Sequence, residues 1–223
     1  MTEHTHKQFD NEMEAIRSGV LSMGGLAETQ LSRAIMLLED EQNNAILDQV
    51  GADEQLINRM QVDMDQQCSQ IIAKRQPAAI DLRMILTVTK IVNDLERIGD
   101  ETKKVAYKAN EASGHRRLAQ MRSFDVARSA DRARNMLQLS LDAFARLDAM
   151  AAAQVIDLDE ELDAAFSATM RQLISYMMED PRTITPALEI VFMAKSIERI
   201  GDHAKNIAEA VVQVVKGKDV RHA

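Results

Sequence analysis

LERIGD at residues 95–100 and IERIGD at residues 197–202 are nearly identical hexapeptides in the two halves of the chain. The likeness extends around them, from residues 86–106 to residues 188–208. A repeat that covers half of a chain indicates two similar units stacked on each other. We therefore expect the chain to fold as two related halves.

A weaker likeness lies upstream of each hexapeptide. The sequence DEQL at residues 53–56 resembles DEEL at residues 159–162, provided that a few residues are inserted or lost between the halves. The predicted boundary between the units then lies at residues 115 and 116, which gives units 1–115 and 116–223.

Apolar residues around both hexapeptides recur in alternating steps of three and four. Ile91, Leu95 and Ile98 follow this rule in the first half, as do residues 193, 197 and 200 in the second. Such a seven-residue repeat is typical of the seam of a helical bundle. The aromatic content of 3% and the three Pro residues also favour long helices over strands.

Breaks in this pattern divide the chain into six predicted helices. Gly114 and Gly217 mark helix C-termini, Asp148 an N-cap, and Thr185-Pro186 an N-cap followed by proline at the first helical position. The helices are predicted at about residues 8–40, 43–76, 79–112, 118–146, 149–179 and 185–216. The predicted fold is all-α: two tandem three-helix bundles related by a pseudo-twofold axis.

Charge and hydropathy exclude several classes of function. A formal net charge of −8 argues against nucleic acid as a partner and against direct binding to anionic lipid. The chain has no apolar run of about 18 residues, and its N-terminus lacks the apolar segment of a secretory signal. We therefore expect a cytoplasmic location. Cys68 is the only cysteine, so an intrachain disulfide is impossible.

The hexapeptides place two carboxylates one helical turn apart in each half. Glu96 and Asp100 lie beside the apolar seam in the first copy, as do Glu198 and Asp202 in the second, so all four are expected to face outward. Like charges at this spacing destabilise a helix slightly, and a hard cation bound by oxygen ligands would offset the repulsion. Ion pairs with Lys103 and Lys205, three residues after each Asp, are the alternative.

Gly99 and Gly201 lie inside predicted helices, where glycine costs about 1 kcal/mol relative to alanine. A close approach of neighbouring helices is the simplest reason for them. The same reason is expected for Gly24 and Gly25 in the first helix.

At these residues the sequence resembles the PhoU family, whose members are accessory proteins of the phosphate-specific transport system. The resemblance runs from about Phe9 to Lys216. It is carried by the paired hexapeptides, by MGGL at residues 23–26 and by YMMED at residues 176–180.

The resemblance implies function as well as fold. It implies a negative regulator of phosphate uptake and of the phosphate-starvation response. Such a protein is an adaptor between the ATPase of the phosphate ABC transporter and a phosphate-responsive sensor histidine kinase. It implies a homodimer without enzymatic activity, which reaches the membrane only through its partners.

The resemblance also implies metal ions at the acidic motifs, as iron clusters or as other divalent or trivalent ions, with Mg, Mn, Fe, Zn and Ni as candidates. The implied metal ligands are Glu96, Asp100, Glu198, Asp202 and Asn206. Asn206 extends the second motif by one turn, whereas Lys104 stands at that position in the first, where its ammonium group is able to neutralise Asp100.

Two other classes stay open from the residues alone. A di-metal carboxylate enzyme in a helical bundle needs inward acids and Glu-x-x-His motifs. Of the five His residues only His6 lies three positions after a Glu, Glu3, and that pair is far in the sequence from the repeated acids. A purely structural helical scaffold would need neither metal nor signalling partner. Metal content distinguishes these possibilities most directly.

Overall fold

Helices make up nearly all of the computed structural model, which describes residues 2–39, 43–111, 119 and 125–216. The helices are α1 Thr2–Glu39, α2 Asn44–Arg75, α3 Ala79–Glu111, α4 Ala127–Arg146, α5 Ala149–Glu179 and α6 Ile184–Lys216, with a short 3₁₀ turn at Pro181–Thr183. The predicted all-α class and six long helices are confirmed. Helix α4 begins nine residues after the predicted start at 118, and that start lies outside the described residues.

The helix ends test the predicted caps. Asp148 caps α5 as expected, because its carboxylate accepts hydrogen bonds from the backbone N–H groups of Met150 and Ala151. Thr185 is not an N-cap. The 3₁₀ turn, capped by Asp180, runs directly into α6 at Ile184, so that Thr185 already lies within the helix. Gly114, Gly217 and the predicted boundary at 115 and 116 lie outside the described residues.

The helices form two three-helix bundles. Bundle 1 contains α1, α2 and α3, bundle 2 contains α4, α5 and α6, and the bundles meet where α3 packs on α6 and α1 on α4. The predicted seam residues, including Leu95, Ile98, Ile197 and Ile200, are fully buried. Each interface joins a helix to its own counterpart, which is what a pseudo-twofold axis between the bundles requires.

Polar contacts between α3 and α6 follow the same symmetry. Glu101 and Ser196 face each other closely enough to interact, and His203 Nδ1 lies 2.9 Å from Asp94 Oδ1. Positions 101 and 203 correspond in the two repeats, and so do positions 94 and 196. The pseudo-twofold axis therefore relates the two contacts to each other.

The glycines explain how closely these helices approach. A Cβ atom on Gly201 would lie 2.2 Å from Leu162 Cδ2, and one on Gly99 would lie 3.2 Å from Ile57 Cδ1. A Cβ on Gly24 would lie 2.6 Å from both methyl groups of Leu141. The expected close approach is confirmed at these three positions. It is wrong for Gly25, where a Cβ would meet nothing within 4 Å.

The neighbouring glycines of α1 give a matched pair of variants. We expect Gly25→Ala to raise the free energy of unfolding by about 0.5–1 kcal/mol, because alanine restricts the unfolded chain and meets open space. Gly24→Ala is expected to lower it by about 1–3 kcal/mol, since the methyl group must displace the buried Leu141 between the bundles. Urea unfolding of both variants tests this. Equal effects of the same sign would contradict the inferred α1–α4 contact.

Candidate metal centre

Acidic side chains gather at equivalent places in the two bundles, where α2 meets α3 and where α5 meets α6. We define the bundle 1 cluster as Glu54, Asn58, Glu96, Asp100 and Lys103. We define the bundle 2 cluster as Asp159, Asp163, Glu198, Asp202 and Lys205. In each cluster the first two residues lie one turn apart on the middle helix of the bundle, and the other three lie on its last helix.

The bundle 2 cluster brings three carboxylates together. Oxygen atoms of Asp159, Asp163 and Asp202 all lie within 4.8 Å of one another. Asp159 is only 3% exposed. Its Oδ2 accepts a hydrogen bond of 2.6 Å from Lys205 Nζ, whereas its Oδ1 is buried without a hydrogen-bond partner. An unsatisfied buried carboxylate oxygen is costly, so this atom marks a place where a further donor or cation would be stabilising.

Burial and then crowding of negative charge raise pKa values in this cluster. Burial raises the pKa of Asp202, and the neighbouring charges of Glu198 and Asp159 raise it further. Burial also raises the pKa of Asp163, with Asp159 and Glu198 again adding to the effect. The carboxylates therefore destabilise one another when all are ionised.

The bundle 1 cluster holds fewer carboxylates. Glu54 is buried, and its two oxygens accept hydrogen bonds from Lys103 Nζ at 3.1 Å and from Asn58 Nδ2 at 3.0 Å. Burial raises the pKa of Glu96, with the charges of Asp100 and Glu54 as further causes. Asn58 occupies the position that Asp163 holds in bundle 2.

The structure places the four predicted acids in these clusters but corrects their surroundings. The side chains of Glu96 and Glu198 are only 20% and 13% exposed, so the expectation that they face outward into solvent is wrong. The spacing of apolar residues shows which side of a single helix is buried, but not which neighbouring helix lies beside that side. In each bundle the middle helix covers the positions next to the apolar side, and it therefore shields the two glutamates from solvent.

The lysines also differ from expectation. Lys103 and Lys205 reach across to Glu54 and Asp159 on the middle helices, whereas ion pairs with Asp100 and Asp202 had been the alternative to a metal. Lys104 pairs with Glu101. The exposed Asn206 donates its amide to Asp94 of α3 at 3.2 Å, in the groove between the bundles; its assignment as a metal ligand stays a prediction.

Sequence reasoning missed Glu54, Asn58, Asp159 and Asp163. The available signal was their own spacing, because Glu54-x-x-x-Asn58 and Asp159-x-x-x-Asp163 repeat the one-turn interval of the hexapeptide acids. The upstream alignment was also displaced by one residue. Ile57 faces Gly99 and Leu162 faces Gly201, so Ile57 and Leu162 are equivalent positions. Counting back three residues from each pairs Glu54, and not Asp53, with Asp159.

The chemistry of the donors suits a hard cation. Carboxylate oxygens favour Mg, Mn or iron ions, whereas zinc and nickel favour sites with imidazole or thiolate ligands. Among the described residues, the one group of three or more candidate ligands is Asp159, Asp163 and Asp202, which contains neither His nor Cys.

In the described part of the chain, no helix has the length and apolar character needed to cross a membrane.

Comparison with known proteins agrees with this architecture. A sequence model of the PhoU domain matches residues 20–109 and again residues 126–211. The chain is 43% identical to the phosphate-specific transport system accessory protein PhoU homolog of Pseudomonas putida, covering 100% of this chain and 86% of the relative. Against the accessory protein PhoU of Escherichia coli K12, the identity is 39%, over 100% of this chain and 91% of the relative.

Solved structures show the same fold. The crystal structure of PhoU from Pseudomonas aeruginosa superposes with a TM-score of 0.88 at 42% identity, over 94% of this chain and 100% of that one. PhoU from Streptococcus pneumoniae has a TM-score of 0.84 at 23% identity, over 95% and 99% of the two chains, which supports the fold alone. The doubled domain match, the full-length relatives and the shared fold together show that the chain belongs to the PhoU family.

Proposed function

We propose that this protein is an accessory protein of a phosphate-specific transport system and a negative regulator of phosphate uptake and of the phosphate-starvation response. In this proposal it works in the cytoplasm as a homodimeric adaptor between the ATPase of the phosphate ABC transporter and a sensor histidine kinase. The observation that carries the proposal is the full-length likeness to relatives named as accessory proteins of that system.

We further propose that a hard divalent or trivalent cation binds at the acidic clusters. Asp159, Asp163, Glu198 and Asp202 would hold it in bundle 2, and Glu96 and Asp100 with Glu54 in bundle 1. The bound ion would supply positive charge among the crowded carboxylates. The protein supplies ligands from two helices, so the ion would link α5 to α6 and fix the surface that a partner contacts.

We propose that the protein acts as an adaptor without enzymatic activity. The described acid cluster lacks the histidine ligands on which the di-metal carboxylate enzymes depend. In an adaptor, the clusters act on structure, because they hold two helices together across a site that would otherwise repel itself. A purely structural scaffold would instead bind no metal and have no signalling partner.

Metal content gives the first test. We expect protein purified without an affinity tag to contain a transition or alkaline-earth metal, and the double variant Glu198→Ala/Asp202→Ala to lose most of it, because two ligands of the bundle 2 cluster are gone. Glu160→Ala/Glu161→Ala is the matched control, since it removes two exposed acids from α5 beside the cluster. Elemental analysis of the three proteins measures the result. Equal metal content in all three would contradict a site at these acids.

Regulation is tested in the cell. Deletion of the gene is expected to switch on starvation genes in phosphate-rich medium, and the wild-type gene should restore repression. Repression restored equally by Glu198→Ala/Asp202→Ala would separate the adaptor function from metal binding. Unchanged expression after the deletion would overturn the regulatory proposal. Sedimentation of the purified protein tests the homodimer.

A further inference from the structure

The two acidic clusters differ at one decisive position. Glu54, Glu96, Asp100 and Lys103 correspond to Asp159, Glu198, Asp202 and Lys205, so four of the five positions keep their charge. The fifth position is Asn58 in bundle 1 and Asp163 in bundle 2. Each bundle is therefore an internal control for the other.

Asn58 stands in bundle 1 where bundle 2 has a carboxylate, and its amide also binds an oxygen of the neighbouring Glu54. Its amide donates to Glu54 Oε1 while Lys103 donates to Glu54 Oε2, so both oxygens of that buried carboxylate are already engaged. In bundle 2 the counterpart Asp159 receives Lys205 on one oxygen and keeps the other buried and unpartnered. Asp163 cannot donate a hydrogen bond when it is ionised, so it leaves that oxygen available.

Nearby cations do not cancel the extra carboxylate of bundle 2, because each cluster has one further cation beside it. Arg97 lies 3.6 Å from Glu96 and offsets part of the negative charge of the bundle 1 cluster. Its counterpart Arg199 turns away from Glu198 and pairs with Glu101 of the other bundle. Lys195 binds Glu198 instead and also acts on the charges of Asp163 and Asp202, so it takes the place of Arg97 in bundle 2. The bundle 2 cluster thus keeps the larger excess of negative charge.

We propose that the two clusters bind metal unequally: a divalent cation fills the bundle 2 cluster first, and Asn58 keeps the affinity of the bundle 1 cluster about tenfold or more lower. This inference rests on the proposed metal function. Its consequence is a protein that responds in two steps, with α5 and α6 linked at low metal concentration and α2 and α3 only at higher concentration.

Exchange of the two side chains tests the inference. Metal-free, tag-free protein is titrated with Mn²⁺ in a calorimeter, and free Mn²⁺ is followed by electron paramagnetic resonance. We expect wild type to show one tight class of sites and a second class at least about tenfold weaker. Asn58→Asp should convert the weak class to a tight one. Asp163→Asn should abolish the tight class, and the double exchange should restore it.

Location and charge are controlled separately. Hydrogen exchange during the titration should show protection first around Asp159 in wild type and first around Glu54 in the double exchange. Gln66→Glu adds one negative charge at an exposed position of α2 and should leave both affinities unchanged. Circular dichroism shows whether each variant folds. Asp163→Asn relieves repulsion, so its result stands even if Asn58→Asp is unstable.

The outcomes separate the inference from the function on which it rests. Two sites of equal affinity in wild type, or no gain in Asn58→Asp together with no loss in Asp163→Asn, would overturn the hierarchy and leave the metal centre in place. Absence of Mn²⁺ binding in wild type and in Asn58→Asp would overturn the proposed metal centre itself. A tight site that moves with the aspartate supports both.

Discussion

Replacement of Lys205 with methionine is expected to lower the free energy of unfolding of the metal-free protein by about 2–3 kcal/mol. Lys205 is the one described cation bound to the buried Asp159, and breaking a buried ion pair typically costs about 3–5 kcal/mol because a charge stays behind uncompensated. We expect a smaller cost of about 2–3 kcal/mol here, because the side chain of Lys205 is 33% exposed and solvent partly screens its charge.

The pH dependence of this effect has a defined sign. The hydrogen bond with Asp159 raises the pKa of Lys205 above its ordinary value of 10.5. A group whose folded pKa is raised stabilises the protein fully below its unfolded pKa and loses that stabilisation as pH rises through the folded value. Wild type should therefore lose stability above about pH 10.5, and Lys205→Met should lack that contribution.

Urea unfolding in the presence of a chelator measures the change, and Mn²⁺ gives the second readout. Removal of a competing cation should strengthen metal binding, so Mn²⁺ should stabilise Lys205→Met more than wild type. Lys90→Met is the matched control, because Lys90 is exposed and its ammonium group donates to the neutral Gln213. A loss in Lys205→Met no larger than in Lys90→Met would show that Asp159 does not depend on this lysine.

Replacement of Phe144 with alanine is expected to cost about 3–5 kcal/mol of stability. Phe144 has the largest volume of the fully buried side chains among the described residues. It lies near the end of α4, which packs against α5, α6 and α1. Removal of its ring leaves a cavity that the surrounding helices fill only in part, so transfer energy and packing contacts are both lost.

Phe192 provides the comparison for Phe144. It lies in the same bundle and is 54% exposed, with Lys108 Nζ 5.1 Å from the centre of its ring. Phe192→Ala should cost less than about 1 kcal/mol, the usual size of an exposed cation–π contact. Urea unfolding of both variants measures the difference. Similar losses in the two variants would contradict the assignment of Phe144 to the core.

The sequence alone determined the fold to within a few residues at most helix ends. The seven-residue recurrence of residues such as Leu95 and Ile98 identified the buried seams, because the geometry of a helix converts spacing into direction. The repeated hexapeptide predicted paired bundles, since duplicated chains bury equivalent surfaces. Asp148 was identifiable as a cap because capping depends on neighbours within one turn.

Predictions of helix starts failed where a local signal competed with another one. Thr185-Pro186 has the composition of a helix start, but the preceding Asp180-Pro181 already begins a 3₁₀ turn that continues into α6. Gly25 resembles Gly24 in sequence and differs from it in having no neighbouring side chain. Neighbouring residues in a helix point about 100° apart, so Gly24 and Gly25 face different surroundings. Only the packing of the helices shows which of the two faces another side chain.

The acidic clusters required the tertiary structure. Spacing along one helix identified Glu198 and Asp202, but the position of Asp159 opposite them depends on how far α5 slides along α6. That register is set by the fit of Leu162 against Gly201 and by the length of the connecting turn. Sequence thus determined which residues share a helical face, because that is a local property of the backbone. Only packing decided which faces meet, and with them the burial and charge of the site.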